Sequence, residues 1–321
     1  MAQTTANELD LIAENLKELG LQPEKQPIAV YRYQTSLYLF AGIGIVAAIL
    51  GLLQPLLGFL LTAVALFFLT REIVRPVLAR VKPTAAQNLS VTIPARSKEF
   101  QKTIVIVPLA EPNVLPSSGL SENTLYWLTL GLGTLTLISQ LLKAPLGSLV
   151  PIVLLLAIAY RLSMSKATVP PVDSASVVEL AAVLSKARPA TTTVTLLFTG
   201  SSALNSGLLP LVQSLKGSPE LTYVVNLTST ATTNPQLIAV EGPTSYRADE
   251  FLEETLVEVA GQKEIALDII KSRPFSKSIP LKAGKYRTIT LALPQPQNPA
   301  DPGATKNLRE LLVGLIRQIE A

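Results

Sequence analysis

The feature that most constrains this chain is an uncharged, strongly apolar run from residue 36 to residue 70. A helix needs about 20 consecutive apolar residues to cross a bilayer, and this run is long enough for nearly two crossings. Gln54 and Pro55 lie at its midpoint, where a proline ends or kinks a helix. The run therefore predicts a hairpin of two transmembrane helices, with one long tilted helix as the alternative.

A second apolar hairpin is predicted at residues 124–160, with a turn marked by Lys143 and Pro145. Tyr126 and Trp127 at its start suit the membrane interface, where aromatic side chains concentrate. The interiors of all four predicted spans lack Asp, Glu, Lys and Arg. Transporters and proton relays usually carry an ionisable residue at membrane depth. The spans are therefore interpreted as anchors rather than as a transport path.

Basic residues flank both hairpins on the outside, which sets the expected orientation. The positive-inside rule places such residues on the cytoplasmic side of a membrane. It predicts four spans, with the soluble domain and both termini on the cytoplasmic (or stromal) side. Residues 1–30 are polar and lack the pattern of a secretory signal. The flanking basic residues are Lys25, Arg32, Arg71, Arg75, Arg80 and Lys82 for the first hairpin, and Arg96, Lys98, Lys102, Arg161 and Lys166 for the second.

Outside the hairpins, short apolar runs rich in β-branched residues alternate with helical patterns. Strands are predicted at 89–94, 103–109, 192–200, 221–228, 236–242 and 287–293, and helices at 174–188, 206–216, 248–262 and 305–320. Such alternation predicts an α/β domain with a mostly parallel central sheet and helices on both faces. The predicted organisation is an N-terminal amphipathic helix in 1–30, the first hairpin in 31–82, the first strands in 83–120, the inserted second hairpin in 121–165, and the remaining α/β domain in 166–321.

The whole chain contains no His and no Cys, which excludes several kinds of chemistry. Disulfides, thiol nucleophiles, thiolate metal sites and catalytic triads with an imidazole base are impossible without these residues. A zinc ion would have to be held by carboxylates alone. The 27 Lys and Arg against 23 Asp and Glu form only a small surplus, so no nucleic-acid partner is predicted.

Five segments, read in order, carry a resemblance to a known family. They are AQNLSVTIPARSKEFQKTIVIVPLAE at 86–111, VDSASVVELAAVLSKARP at 172–189, TVTLLFTGSSALNSGLL at 193–209, VVNLTST at 224–230 and FSKSIPLKAGKYRTITLAL at 275–293. Together they resemble the di-zinc aminopeptidases of metallopeptidase clan MH, a family that includes bacterial leucyl aminopeptidases, glutaminyl cyclases and the transferrin-receptor ectodomain. The order agrees once the second hairpin is removed. The resemblance implies a zinc-aminopeptidase-like α/β fold.

That family holds two zinc ions with His and carboxylate ligands and uses a Glu as general base, and the resemblance implies which positions to compare. The first ligand His falls near Leu109, the next Asp near Glu111, and the last His at Ser278 beside Lys277. Asp173 remains where the bridging Asp is expected, the paired Glu become Ser201 and Ser202, and the next Asp becomes Thr228. The vestigial cleft implied by the resemblance consists of Leu109, Glu111, Asp173, Ser201, Ser202, Thr228, Lys277 and Ser278.

These differences predict a site without metal, cofactor or catalytic residue. The sequence therefore favours a membrane-anchored, catalytically inactive peptidase-like protein that binds a protein partner as scaffold, adaptor or assembly factor. The cleft could hold a peptide end or a lipid head group, and nothing in the sequence chooses between them. The alternative is a membrane-tethered aminopeptidase or hydrolase, in which Ser201 or Ser202 acts with Lys277. The simpler interpretation of Ser201, Ser202 and Asp173 is capping of the helices that follow them.

Overall fold

The computed structural model describes twelve stretches of the chain. They are residues 2–30, 33–72, 84–109, 111–112, 122–142, 168–169, 174–199, 218–230, 234–242, 245–271, 278–294 and 302–320. The helices are α1 (Ala2–Glu18), α2 (Tyr33–Leu53), α3 (Pro55–Glu72), α4 (Glu122–Leu141), α5 (Ser174–Lys186), α6 (Glu250–Gln262), α7 (Ile279–Ala283) and α8 (Pro302–Glu320). The strands are β1 (Glu24–Val30), β2 (Thr84–Ile93), β3 (Gln101–Pro108), β4 (Glu111–Pro112), β5 (Thr168–Val169), β6 (Thr192–Thr199), β7 (Thr222–Thr230), β8 (Gln236–Ile238), β9 (Val240–Glu241), β10 (Tyr246–Arg247), β11 (Asp268–Ile270) and β12 (Arg287–Pro294).

An eight-stranded sheet forms the centre of the domain, in the order β1-β2-β6-β3-β7-β12-β8-β11. Its four middle strands, β6, β3, β7 and β12, run parallel to one another. Strands β1 and β2 extend the sheet antiparallel at one side, and β8 pairs antiparallel with β12 at the other. The prediction of a mixed α/β domain with a mostly parallel sheet is confirmed. The predicted helix at 206–216 lies outside the described residues.

Strand β1 was not predicted, because its sequence is polar and contains Pro27 in the middle. Proline cannot donate a ladder hydrogen bond and is confined to sheet edges. β1 lies at such an edge, where it pairs only with β2 among the described strands. The N-terminal segment therefore contains a strand as well as the amphipathic helix.

The two faces of the sheet differ in how they are covered. On one face, which we call the helical face, α1, α5, α6 and α8 pack over the main core. The other face, which we call the cleft face, carries a small apolar cluster completed by Leu281 of α7 and by Tyr286. Because side chains alternate along a strand, Asn226 and Thr228 of β7 and Thr290 of β12 also lie on the cleft face. This face is therefore the more polar one.

Helices α2 and α3 form a hairpin, and α4 packs against both. In one continuous helix, Gly51 and Gly58 would lie about 10 Å apart along the axis. Instead, a Cβ atom added to Gly58 would meet the Cα atom of Gly51 at 2.4 Å. The helix thus reverses at Gln54, between Leu53 and Pro55, and the alternative of one long helix is wrong.

This three-helix unit exposes many large apolar side chains. Among the residues described in the structure, however, none of the helices reaches the length and apolarity that a membrane crossing needs. The second arm of the second hairpin, at 149–160, lies outside the described residues, and the four spans stay a prediction. The exposed side chains of the unit are Val46, Ile49, Leu52, Leu53, Leu56, Leu57, Leu60, Val64, Phe67, Phe68, Trp127, Leu128, Leu135, Ile138, Leu141 and Leu142.

Helix α1 packs on the domain through the buried side chains of Leu9, Ile12 and Leu16. Glu8, on the same helix, is half-buried. Burial raises the pKa of Glu8 above its ordinary value of 4.5, and a hydrogen bond from Ser174 opposes this effect only in part. The folded state therefore favours the protonated carboxyl group.

We expect Glu8 to make the free energy of unfolding depend on pH. Because its pKa is higher in the folded state, its stabilising effect is complete below pH 4.5 and is lost as the pH rises through the folded-state pKa. For Glu8→Gln, the free energy of unfolding in urea, measured from pH 4 to pH 7, should fall less steeply with pH than for the wild type. The exposed Glu14 provides the control, because Glu14→Gln should leave the slope unchanged. Equal slopes in the wild type and Glu8→Gln would contradict this expectation.

Candidate functional site

The four parallel strands all end at one edge of the sheet, which we call the carboxyl edge. Open α/β sheets bind their ligands outside the carboxyl ends of such strands. Asn88 of β2 pairs with Thr199 at the end of β6, and Thr199 pairs with Pro108 at the end of β3. The register continues through Thr228 of β7 to Ala292 of β12. These five residues form one row across the sheet, at the place where a ligand is expected.

Both apolar segments leave the domain from this carboxyl edge. The first follows β1, whose last residue, Val30, pairs with Thr84 at the start of β2, and α2 begins at Tyr33. The second leaves after β4 and returns through β5, where Glu111 pairs with Val169. The pairing of β4 with β5 brings the two ends of this excursion together just beyond β3. The three-helix unit is thus connected to the side of the domain that carries the candidate cleft.

The described members of the predicted cleft do not all face it. Leu109 is buried in the main core, on the helical face, and its backbone N–H donates to the carbonyl oxygen of Thr199 at 3.2 Å. Glu111 belongs to the short strand β4, and Thr228 is half-buried in the row at the carboxyl edge. Asp173, Ser201, Ser202 and Lys277 lie outside the described residues. Their grouping into one cleft stays a prediction.

Ser278 has the best-defined surroundings of the predicted residues. Its hydroxyl group donates a hydrogen bond to Oε2 of Glu241 and accepts one from Oγ1 of Thr290 at 3.1 Å. Nδ2 of Asn226 donates in turn to Oγ1 of Thr290 at 3.4 Å. Lys282, one turn after Ser278, forms an ion pair with Oε2 of Glu241. We call these five residues the Glu241 cluster.

The ion pair of the Glu241 cluster is shielded from water. The side chain of Glu241 is 0% exposed and that of Lys282 is 4% exposed. Burying one charge without a partner costs several kcal/mol, so each side chain depends on the other. Ser278 and Thr290 supply hydroxyl groups that extend the contact from the carboxylate to β12. The cluster therefore joins β7, β9, α7 and β12 on the cleft face.

Three atoms of the cluster keep unused hydrogen-bonding capacity. Within the part of the chain that the structure describes, Oε1 of Glu241 and Oδ1 of Asn226 accept no hydrogen bond, and Nζ of Lys282 makes none beside its ion pair. All three atoms are buried. Buried polar atoms usually have a partner, so the cluster has spare capacity for a small polar group.

Sequence reasoning found Ser278 but missed the other four residues of the cluster. Asn226 and Thr290 lie in two of the segments that carry the family resemblance, but neither falls at a compared ligand position, and Glu241 lies in the two-residue strand β9. The spacing of Ser278 and Lys282 is the one signal present, because residues four apart share a helix face. Their joint burial with Glu241 depends on a strand pairing that the sequence does not display.

The residues that the structure describes at the candidate site do not fit the two zinc ions that the family resemblance implies. Ser278 uses its hydroxyl hydrogen on Glu241, and the positive charge of Lys282 lies against the same carboxylate. Leu109 faces the main core. Over the described ranges, His, Cys, Asp and Glu form no group of three that could hold a metal ion. Zinc sites need several nitrogen, thiolate or carboxylate ligands, and this donor set does not supply them.

Comparison with known proteins gives only distant similarities. No family model matches the chain. No curated protein matches it by sequence. Solved structures that are similar include the glutaminyl cyclases of Fimbriiglobus ruber (13% identity, 98% of this chain and 87% of that chain, TM-score 0.46) and Porphyromonas gingivalis (8%, 96% and 88%, 0.45). Another is the TET aminopeptidase of a marine sediment archaeon, Thaumarchaeota archaeon SCGC AB-539-E09 (9%, 72% and 84%, 0.42). At these values the likeness carries no information about activity.

Proposed function

We propose that this chain is a membrane-anchored, catalytically inactive peptidase-like protein that binds another protein as scaffold, adaptor or assembly factor. The observation that carries the proposal is the Glu241 cluster. Ser278 stands where the resemblance expects a zinc ligand, yet it is buried and bonded to Glu241, whose charge is matched by Lys282. A carboxylate that is already neutralised in this way has little attraction for a metal ion. Binding is then the function that remains for the domain.

The three-helix unit provides the anchor in this proposal. Its exposed apolar side chains extend along α2, α3 and α4, and soluble proteins rarely expose contiguous apolar surface of this extent. Lipid is the occupant proposed for this surface. The basic residues around both segments favour an orientation with the soluble domain and both termini on the cytoplasmic or stromal side.

The partner is proposed to bind at the carboxyl edge of the sheet. Both apolar segments are connected to this edge, so anchoring the three-helix unit in lipid places the edge next to the membrane surface. A partner that reaches it there is itself a membrane protein or lies on the membrane. This argument favours a juxtamembrane peptide segment of the partner as the bound group.

A crosslinking experiment tests the proposed binding site. Because the chain contains no Cys, one introduced Cys can carry the photo-crosslinker without any other substitution. A photo-crosslinker at Gln87, which is exposed near the carboxyl edge, is expected to give discrete adducts with a membrane protein in native membranes. The matched control is Glu220, which is exposed at the opposite edge, just before β7. Adducts of equal yield at both positions, or at Glu220 alone, would contradict the proposed site.

The competing function, a membrane-tethered aminopeptidase or hydrolase, is tested on the same purified chain. Metal analysis should find no stoichiometric zinc, and aminopeptidase substrates should not be turned over above the rate of a buffer control. Bound zinc, or an activity that is lost in Asp173→Ala, would favour the enzyme and overturn the proposed inactivity.

A further inference from the structure

The Glu241 cluster places one positive charge beside a buried carboxylate, and a chain of buried polar side chains continues from that carboxylate. Its carboxylate contributes two oxygens, Ser278 and Thr290 contribute hydroxyl oxygens, and Asn226 contributes an amide oxygen. The ammonium group of Lys282 contacts one carboxylate oxygen directly. Sites that hold hard cations in proteins are built from the same groups, namely carboxylate, hydroxyl and amide oxygens.

The charges of the cluster match a monovalent cation. Glu241 is the single acidic side chain of the cluster, so one positive charge neutralises it, whereas a divalent ion would leave an excess charge in a buried place. Lys282 supplies that single charge from a flexible stem that enters from α7. Lysine carries its charge on a compact ammonium group with three donors, similar in this respect to a free ammonium ion.

We propose that Lys282 is a tethered cation, which fills a buried site beside the Glu241 carboxylate that can bind a free primary ammonium ion once the lysine side chain is removed. Oε1 of Glu241, the second oxygen of the carboxylate that pairs with Lys282, is buried and accepts no hydrogen bond within the described part of the chain. Because the resident charge is covalently attached, the cluster keeps its cation at any metal concentration. This inference deepens the proposed loss of metal chemistry and rests on it, since the wild-type chain must hold no zinc at the cluster.

Chemical rescue of Lys282→Ala tests the proposal. This substitution removes three methylene groups and the ammonium group, and n-propylammonium contains the same atoms. The full chain in detergent micelles is expected to lose about 10 °C in Tm, because a buried carboxylate is left without its partner. Addition of n-propylammonium chloride should restore at least several degrees, and ammonium chloride, which lacks the apolar stem, should restore less. The wild type should respond to neither salt.

Three controls separate rescue from general effects of amines. Glu241→Gln/Lys282→Ala has the same cavity without the negative charge, so n-propylammonium should not stabilise it. Lys271→Ala removes an exposed lysine and should show no amine response. Choline chloride matches the ionic strength, but its trimethylated nitrogen has no N–H donor for the Glu241 carboxylate, so it should leave Lys282→Ala unchanged.

Several results would overturn the inference. They are a Lys282→Ala variant that is insensitive to n-propylammonium, an equal response of the double variant, or a Lys282→Ala variant that stays unfolded with n-propylammonium while the double variant folds. The zinc content of the wild type is measured separately. Stoichiometric zinc in the wild type would contradict the proposed inactivity. Failed rescue with a zinc-free wild type would contradict only the proposal that Lys282 is a tethered cation.

Discussion

Gly58→Leu is expected to separate the hairpin of α2 and α3 and to cost about 3 kcal/mol or more of unfolding free energy. A Cβ atom at position 58 would lie 2.4 Å from the Cα atom of Gly51 and 2.8 Å from the carbonyl oxygen of Ala47. These are backbone atoms, which cannot rotate away as a side chain can. Overpacking usually costs 1 to 3 kcal/mol even where side chains adjust. Small residues allow helices to approach this closely in apolar surroundings.

The effect of Gly58→Leu should extend to α4, because Gln140 joins this helix to the hairpin. Nε2 of Gln140 donates to the carbonyl oxygen of Ala47 at 3.1 Å, and the hydroxyl group of Thr62 donates to its Oε1 at 3.5 Å. Trp127, the single tryptophan of the chain, lies on α4. Its fluorescence emission during thermal or denaturant unfolding therefore reports whether α4 stays packed.

Gly42→Leu is the matched control for Gly58→Leu. It makes the same chemical change in α2, but no atom lies within 4 Å of a Cβ atom added at Gly42. Its unfolding midpoint and its Trp127 emission should resemble those of the wild type. If the two variants unfold alike, the close contact of Gly51 with Gly58 does not stabilise the hairpin, and the prediction is wrong.

Asp249→Ala is expected to destabilise the α/β domain by about 2 to 4 kcal/mol, because Asp249 has two roles. Its Oδ1 caps α6 by accepting from the N–H of Leu252 at 3.1 Å. Its two oxygens also bind Arg287 on β12, at 3.1 and 3.2 Å. Loss of a cap costs about 1 kcal/mol, and loss of hydrogen bonds to a charged group costs about 1.5 to 3 kcal/mol.

The hydrogen bonds between Asp249 and Arg287 should contribute more stability than most ion pairs near a protein surface, because Arg287 has further contacts. Its guanidinium group lies 4.9 Å from the ring centre of Tyr223 and 4.7 Å from that of Phe251. It also donates to the hydroxyl group of Tyr223 at 3.1 Å. The charge therefore contacts two neighbouring aromatic rings, and without Asp249 it keeps no carboxylate partner among the contacts described.

Asp249→Asn separates the two roles. Asparagine caps a helix about as well as aspartate, so this variant should lose only the charge contribution and unfold between the wild type and Asp249→Ala. Asp268→Ala, at an exposed aspartate of β11, provides the control and should change stability by less than about 0.5 kcal/mol. Urea unfolding followed by circular dichroism measures all four proteins. Equal losses for Asn and Ala at position 249 would show that the ion pair carries the whole effect.

The regular elements of this protein were largely predictable, because each depends on a pattern within its own segment. The runs predicted at 103–109 and 192–200 correspond to the buried parallel strands β3 and β6, and the break at Gln54 and Pro55 produces the helical hairpin. Strand β1 was missed, because its polar sequence becomes a strand only through pairing with β2.

The candidate site was predictable only in part. The family resemblance pointed to Ser278, which the structure places in a buried polar cluster. The same resemblance pointed to Leu109, whose side chain faces the opposite side of the sheet. A position in an alignment assigns no side-chain direction, since one residue of shift along a strand reverses the face.

The sequence by itself determined that this chain has no imidazole and no thiol, that it has two long apolar segments, and that strands and helices alternate in the rest. These properties depend on composition and on local periodicity, which can be counted along the chain. Only the tertiary structure decided that both apolar segments leave from the carboxyl edge, and that Lys282 lies against Glu241. Both results depend on which strands pair and in which register, and such contacts join residues far apart in sequence that carry no local signal of each other.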